Sequence, residues 1–177
     1  SEPEAIDLAQ LVIDMTEAYR SAYPSPQFNS TIAQTSADAY RTIAAPELLV
    51  QLLDKLVDNA TDFSPPDAVI ELRLELCQDD ELGASYRLSV SNTGPALPPA
   101  LEGQLFNSLT SWRSGATGNK DTEHRVHLGL GLYIVELIAR CHQGRAQAEN
   151  IANGVCFSVE FPAQNPGMFA KRPETLG

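Results

Sequence analysis

This chain of 177 residues reads as a two-layer α+β sandwich, with a mixed, mostly antiparallel sheet and helices covering one face. Two patterns carry that expectation. Apolar residues recur at helical spacing in separate stretches. Elsewhere apolar and polar residues alternate strictly, as they must on a sheet with one buried face. A single domain is expected over 1–162, with its informative part at 46–162, followed by an irregular tail over 163–177.

The first helical pattern runs from Ile6 to Tyr19 and stops before the breaker-rich SAYPSPQ. FNSTIAQ reads as a short edge strand. Pro46 then sits at a helix-starting position, with Glu47 in the first turn. In the helix that follows, Leu52, Leu53, Leu56, Val57, Ala60 and Phe63 share one side; Gln51, Asp54, Lys55, Asp58, Asn59 and Asp62 share the other. Pro65-Pro66 ends it. VIELRLEL and YRLSVSN alternate, and the turn QDDELGAS between them makes an antiparallel hairpin. LEGQLFNSL reads as a short helix. SWRSGATGNKDTEHR has no period and reads as a long loop. A helix resumes at GLGLYIVELIARCH, capped near Gly144. VCFSVEFP, with Val155, Phe157, Val159 and Phe161 inward, is the last strand.

Composition narrows the function. With 12 basic and 23 acidic residues the net charge is −11, which excludes a general nucleic-acid or anionic-membrane binder. Cys77, Cys141 and Cys156 are odd in number and widely spaced, so they form neither a disulfide framework nor a zinc pattern, and a reducing compartment is expected. No apolar run reaches the roughly 18 residues that span a bilayer, and no signal-peptide pattern is present. The opening Ser points to a piece of a longer protein.

Three polar features stand out from this frame. Lys55 and Asn59 are four residues apart on one helix face, with Asp62 a turn further. SNTGPALP ends a strand at Asn92 and turns at Gly94. HLGLGLYIV places Gly129 and Gly131 where a helix begins, so that backbone N–H groups and the helix dipole face an anion. Each alone is ordinary: a solvated face, a turn, a glycine pair. The GxG is no dinucleotide fingerprint, because Ile134 occupies the place of the third glycine.

Taken in order, these pieces resemble the GHKL ATPase superfamily, and most closely the catalytic ATP-binding domain of sensor histidine kinases. LDKLVDNATDFSP is similar to its N box, VSNTGPALP to the G1 box, LFNSL with Leu105-Phe106 to the F box, and HLGLGLYIVELIARCHQG to the G2 box and its helix. LDKLVDNA and LFNSLTSWR also resemble a proteobacterial branch associated with dedicated sortase systems. The resemblance implies a Bergerat-type ATP-binding fold with ATP and Mg²⁺ as ligands. It implies Asn59 on Mg²⁺, a hard ion suited to an amide oxygen plus phosphates. It sets Asn92 against the adenine amino group, which an amide oxygen can accept without charge. Gly94 and Phe63 then lie beside the base, and Gly129, Leu130 and Gly131 around the phosphates.

Three positions depart from the family pattern. Lys55 stands where kinases of this type usually show Asn and hydrolytic relatives show Glu, Asp62 where many carry Lys, and Ala96 where the G1 box has its second glycine. Without a Glu at 55 the base that activates water in the hydrolases is missing, which argues for transfer rather than hydrolysis. Two readings of Lys55 stand: a phosphate contact, or a surface cation paired with Asp58, Asp62 or Gln51. Between Gln104 and Gly131 the net charge is +1, against −12 for the rest of the chain. An ATP lid is expected at about 107–128, with Arg113 and Lys120 either closing on the phosphates or solvated. His124, His127 and His142 all lack the neighbours of a phosphoacceptor histidine.

The resemblance therefore implies transfer of the ATP γ-phosphate to a histidine of a dimerisation domain elsewhere in the same protein, with Asn59 and Lys55 as the catalytic pair. It implies a cognate response regulator and a parent homodimer anchored in the bacterial inner membrane, this part being cytoplasmic. The alternatives are an anti-sigma-factor serine kinase, or a GHKL interaction module with little or no ATP turnover.

Overall fold

The computed structural model describes residues 2–33, 38–97 and 120–163, with residues 120–130 given as helical backbone. A four-residue strand, β1 (Glu4–Asp7), leads into helix α1 (Leu8–Ala22). The helix begins at Leu8 rather than Ile6 because Asp7 caps it, its Oδ1 accepting from the backbone N–H of Ala9 at 3.1 Å and of Gln10 at 3.3 Å. Leu8, Val12, Thr16 and Tyr19 make its buried face. Strand β2 (Gln27–Ile32) and a second short strand, β3 (Arg41–Ala44), follow.

Helix α2 (Pro46–Phe63) has the bounds its sequence predicts, with proline in the first turn and Ser64 as C-cap. Leu49, Leu52, Leu53, Leu56, Val57 and Ala60 are buried on it, and so is Asn59. The hairpin of β4 (Val69–Asp79) and β5 (Gly83–Thr93) is antiparallel, pairing Leu72 with Val90 and Leu74 with Leu88. Helix α3 (Lys120–Cys141), β6 (Arg145–Ile151) and β7 (Gly154–Pro162) complete the described chain.

The strands form a five-stranded sheet in the order β2-β4-β5-β7-β6, while β1 pairs with β3 apart from it. Strand β2 lies at an edge, as FNSTIAQ suggests, and runs parallel to β4; the other pairs are antiparallel. Ile70, Leu72, Leu74, Tyr86, Leu88, Val90, Val155, Phe157, Val159 and Phe161 point into one core with the helices. Each fully buried Leu or Val there stabilises the fold by about 1.5–3 kcal/mol. The other sheet face is polar. In register across it lie Glu75, Arg87, Glu160 and Arg145. Glu160 is 1% exposed and is held by both guanidinium groups, Arg87 Nε at 2.7 Å and Arg145 at 3.3 Å. The architecture is the predicted α+β sandwich.

The structure corrects the sequence reading in two respects. Strands β1, β3 and β6 were not expected. The first two are four residues long, too short to show a period. In β6 the inward positions are Ala146, Ala148 and Asn150, which carry little hydrophobic signal. Helix α3 also starts nine residues before Gly129, inside the stretch expected as a loop and lid. The segment KDTEHRVHL lacks an apolar stripe, yet Asp121 and Glu123 suit a helix N-terminus electrostatically. Gly129 and Gly131 therefore lie within the helix and do not open it. At its other end Gln143, with φ of 61°, makes the turn, and Gly144 donates its N–H to Ala139 O at 2.8 Å. A Cβ at Gly144 would fall 2.0 Å from the carbonyl oxygen of Glu160. No helix among the described residues is long and apolar enough to cross a membrane.

Candidate functional site

Asn59 owes its position to the last turns of α2. Its apolar neighbours Leu56, Val57 and Ala60 seat the helix on the sheet, and this carries the amide under cover to 5% exposure. Buried amides almost always find partners, yet Asn59 Nδ2 has none among the described residues. The neighbouring surface is α3. A Cβ built on Gly131 would lie 3.5 Å from Asn59 Oδ1, 3.8 Å from its Nδ2 and 4.0 Å from Lys55 Cδ. Lys55, Asn59 and Gly131 thus converge, joining the two ends of a pattern some seventy residues apart. Lys55 has no ion-pair partner among the described residues, and the carboxylate of Asp58 instead accepts from Tyr23 Oη at 3.0 Å. Asp62 is exposed.

One turn along α2 from Asn59, Phe63 packs half-buried against the core. Beside it the central strand β5 ends. Asn92, paired with Ile70 on one side and Val155 on the other, is 1% exposed. Its Nδ2 donates to Thr93 O at 3.3 Å, and its buried Oδ1 has no partner among the described residues. Gly94 follows with φ of 146°, a conformation that side chains disfavour. A Cβ there would stand 3.3 Å from Pro65 Cδ, 3.5 Å from Phe63 O and 3.7 Å from Asn92 Nδ2. So Asn92, Gly94 and Phe63 also meet, about one helical turn from Asn59. Ala96 is exposed.

Residues outside the expected set hold this corner. Asn150 brackets Leu97 with two hydrogen bonds, accepting from its N–H at 2.8 Å and donating to its O at 3.1 Å. Gly94 donates its N–H to Asn153 O at 2.9 Å. A Cβ on Gly154 would fall 1.8 Å from the carbonyl oxygen of Asn92, so only glycine lets β7 approach there. The NGV stretch at the β6–β7 turn was the available sequence signal, and it reads as plain turn chemistry. His142, which lacks the neighbours of a phosphoacceptor histidine, has a structural place here. Its Nε2 accepts from Ala45 N–H at 3.2 Å and its Nδ1 faces Ile138 O at 2.9 Å, tying α3 to the start of α2.

Where α1 meets α2, Tyr19 of α1 and Tyr23 at its C-cap face carboxylates one turn apart on α2. Tyr19 Oη donates to Asp54 at 2.7 Å and Tyr23 Oη to Asp58 at 3.0 Å. Burial, and then the bond to Asp54, pushes the Tyr19 hydroxyl far above its ordinary value. Burial followed by the Asp58 bond pushes Tyr23 up to about 12. Both therefore stay protonated donors at neutral pH.

Arg113, Leu105 and Phe106 lie outside the described residues, as do the side chains of Lys120, Leu130, His124 and His127. Gly129 and Leu130 belong to the backbone of α3, where their N–H groups bond to carbonyls one turn back. A groove lined by Asp38, Arg41, Leu76, Ala84 and Tyr86 holds none of the expected site residues. It lies near the other end of β5, six residues or about 20 Å from Asn92 to Tyr86.

The family model for histidine kinase-, DNA gyrase B-, and HSP90-like ATPases matches residues 44–165. Sensor protein CreC of Escherichia coli (strain K12) is 29% identical over 150 residues, which cover 85% of this chain and 28% of the relative. Sensor histidine kinase TrcS of Mycobacterium tuberculosis (strain ATCC 25618 / H37Rv) is 26% identical over 161 residues, covering 91% and 30%. The chain thus spans less than a third of the length of these curated relatives. Among solved structures, the nucleotide-free catalytic domain of histidine kinase ThkA superposes with a TM-score of 0.70 at 25% identity, covering 93% of this chain and all of that one. ThkA in complex with the response regulator TrrA shares the fold at 24% identity and a TM-score of 0.66, covering 92% and 42%.

Proposed function

The chain belongs to the family of histidine kinase-, DNA gyrase B-, and HSP90-like ATPases, and from that premise we propose that it positions Mg²⁺-ATP for phosphoryl transfer to a histidine on another domain of the same protein. In fold and relatives it is the ATP-binding catalytic domain of sensor histidine kinases. The observation that carries the site is the pair of orphaned amides. Asn59 and Asn92 are both buried, and both keep a polar atom without a partner among the described residues; Phe63, one turn of α2 beyond Asn59, borders Gly94 beside Asn92. A buried unpaired amide group costs about 1–3 kcal/mol, so a ligand that accepts from Asn59 Nδ2 and donates to Asn92 Oδ1 recovers that cost.

Each residue then has a task. Asn92 Oδ1 accepts from the exocyclic amine of adenine, its Nδ2 being engaged by Thr93 O. Gly94 lets the backbone come close, and Phe63 lies beside the base. The Asn59 amide oxygen, a hard donor, would suit Mg²⁺, with Nδ2 left to donate to a phosphate oxygen. Lys55, uncommitted among the described residues, reaches phosphate; the absence of an ion pair to Asp58 favours this over surface decoration. Held by Asn59, Mg²⁺ would supply charge neutralisation for the phosphate oxygens. Lys55 cannot activate water as a carboxylate does, so the site is built for transfer.

The phosphate cradle proposed for Gly129, Leu130 and Gly131 carries a condition. Their amides are committed within α3 in this structure, so cradling requires the turns from Lys120 to Leu128 to unwind. The two glycines make that inexpensive, each weakening a helix interior by about 1 kcal/mol. Lys120 and Arg113 then lie on the released lid over about 107–128. We place the parent as a homodimer anchored in the bacterial inner membrane, this domain in the cytoplasm over residues 1–162 and a response regulator downstream.

Mixing this chain with the phosphoacceptor domain of its parent and γ-labelled ATP tests the reading. Acid-labile, alkali-stable phosphohistidine is expected. Acid-stable phosphoserine on a separate protein would mark an anti-sigma-factor kinase instead.

A further inference from the structure

Helix α2 presents an electrostatic problem to any triphosphate. It carries Glu47, Asp54, Asp58 and Asp62 against a single cation, Lys55. Asp58 is three residues from Lys55, the spacing at which helical side chains meet and oppositely charged ones pair. Yet the Asp58 carboxylate accepts from Tyr23 Oη at 3.0 Å, and Lys55 has no ion-pair partner among the described residues. Lys55 instead runs beside Asn59 toward Gly131.

We propose that Tyr23 is a positioning residue: by holding Asp58 toward α1, it keeps the Lys55 ammonium free for the nucleotide phosphates. The proposal rests on the nucleotide-site reading above. Three features of the structure support it. Tyr23 is fixed in an aromatic cluster with Tyr19 and Phe28, at ring-centroid distances of 6.4 and 5.6 Å, so its hydroxyl is delivered by packing rather than by chance. The Tyr19–Asp54 bond at 2.7 Å forms a second rung one turn away and sets the register of α1 on α2. Asp54 is adjacent to Lys55 in sequence and does not face it, so that rung has no comparable effect on the ammonium.

Titrating the whole chain calorimetrically with Mg²⁺-ATP and with adenosine tests the proposal, with a thermal melt of each variant confirming that it folds. Lys55→Ala is expected to weaken ATP binding about 10- to 100-fold, as for a lost hydrogen bond to a charged group. Tyr23→Phe frees Asp58 to pair with Lys55 and is expected to weaken ATP binding about two- to fivefold, the size of one exposed ion pair. Adenosine binding stays unchanged in both. The double variant Tyr23→Phe/Asp58→Asn returns to wild-type ATP affinity, Asp58→Asn alone loses none, and Tyr19→Phe is neutral. Several results would overturn the inference: a Tyr23→Phe affinity equal to wild type while Lys55→Ala binds weakly, a loss that Asp58→Asn does not rescue, or an equal loss in Tyr19→Phe. An unchanged Lys55→Ala would remove the phosphate contact and the inference with it. Absence of ATP binding by the wild-type chain would instead defeat the nucleotide-site reading itself.

Discussion

Asn59 shows what single residues contribute here and how far a sequence reveals them. Helical spacing puts it on the polar stripe of α2, whereas the structure buries it to 5% exposure against Gly131. A helical wheel shows the angle of a side chain but not what a second helix brings to it. Gly131 makes the same point. In a sequence it marks a helix start; in the structure it lies inside α3, and a Cβ there would make only ordinary contacts, 3.5 Å from Asn59 Oδ1 at the closest. Steric fit therefore does not demand glycine in this state. Gly131→Ala should raise the stability of the nucleotide-free chain, by about 0.5–1 kcal/mol from helix propensity, and weaken Mg²⁺-ATP binding by holding α3 closed. Denaturant melts and calorimetry on the one variant check both signs. A more stable variant with unimpaired binding would mean that α3 need not open.

Among the elements, α2 and the β4–β5 hairpin were legible because each carries a long, clean period and strong breakers at its ends. Strands β1, β3 and β6 were not, since four residues or a row of alanines hold too little hydrophobic contrast. The N-terminal half of α3 escaped for a related reason: KDTEHRVH has the composition of a loop, and its helicity comes with the apolar stretch that continues it. The α1–α2 contact was also hidden, because two tyrosines and two aspartates 35 residues apart have no sequence signature. That contact predicts an alkaline weakness. Tyr23 is raised from the ordinary value of about 10 to about 12, and Tyr19 further. With folded values above unfolded ones, the unfolded chain ionises first, so stability is intact below pH 10 and declines as pH rises through 10 to 12. Melting curves across that range should show Tyr23→Phe flattening part of the decline; an unaltered slope would contradict the assignment.

For the whole molecule, motif order mattered more than any one motif. Asn59, Asn92–Gly94 and Gly131 are unremarkable separately, but a five-stranded sheet with β5 at its centre brings the end of that strand beside the last turns of α2, and α3 packs against α2. The acidic balance has a matching consequence. With a net charge of −11, the proposed site would have to offset the field of the chain through its buried amides, a metal ion and Lys55 to admit an anionic ligand. Calorimetric titration of the chain with ATP, with and without Mg²⁺, and of Asn59→Ala alongside, tests this most directly. Mg²⁺-dependent binding by the wild-type chain that Asn59→Ala abolishes is the expected result. No heat at millimolar nucleotide, or an Asn59→Ala variant that binds as tightly as wild type, would contradict it.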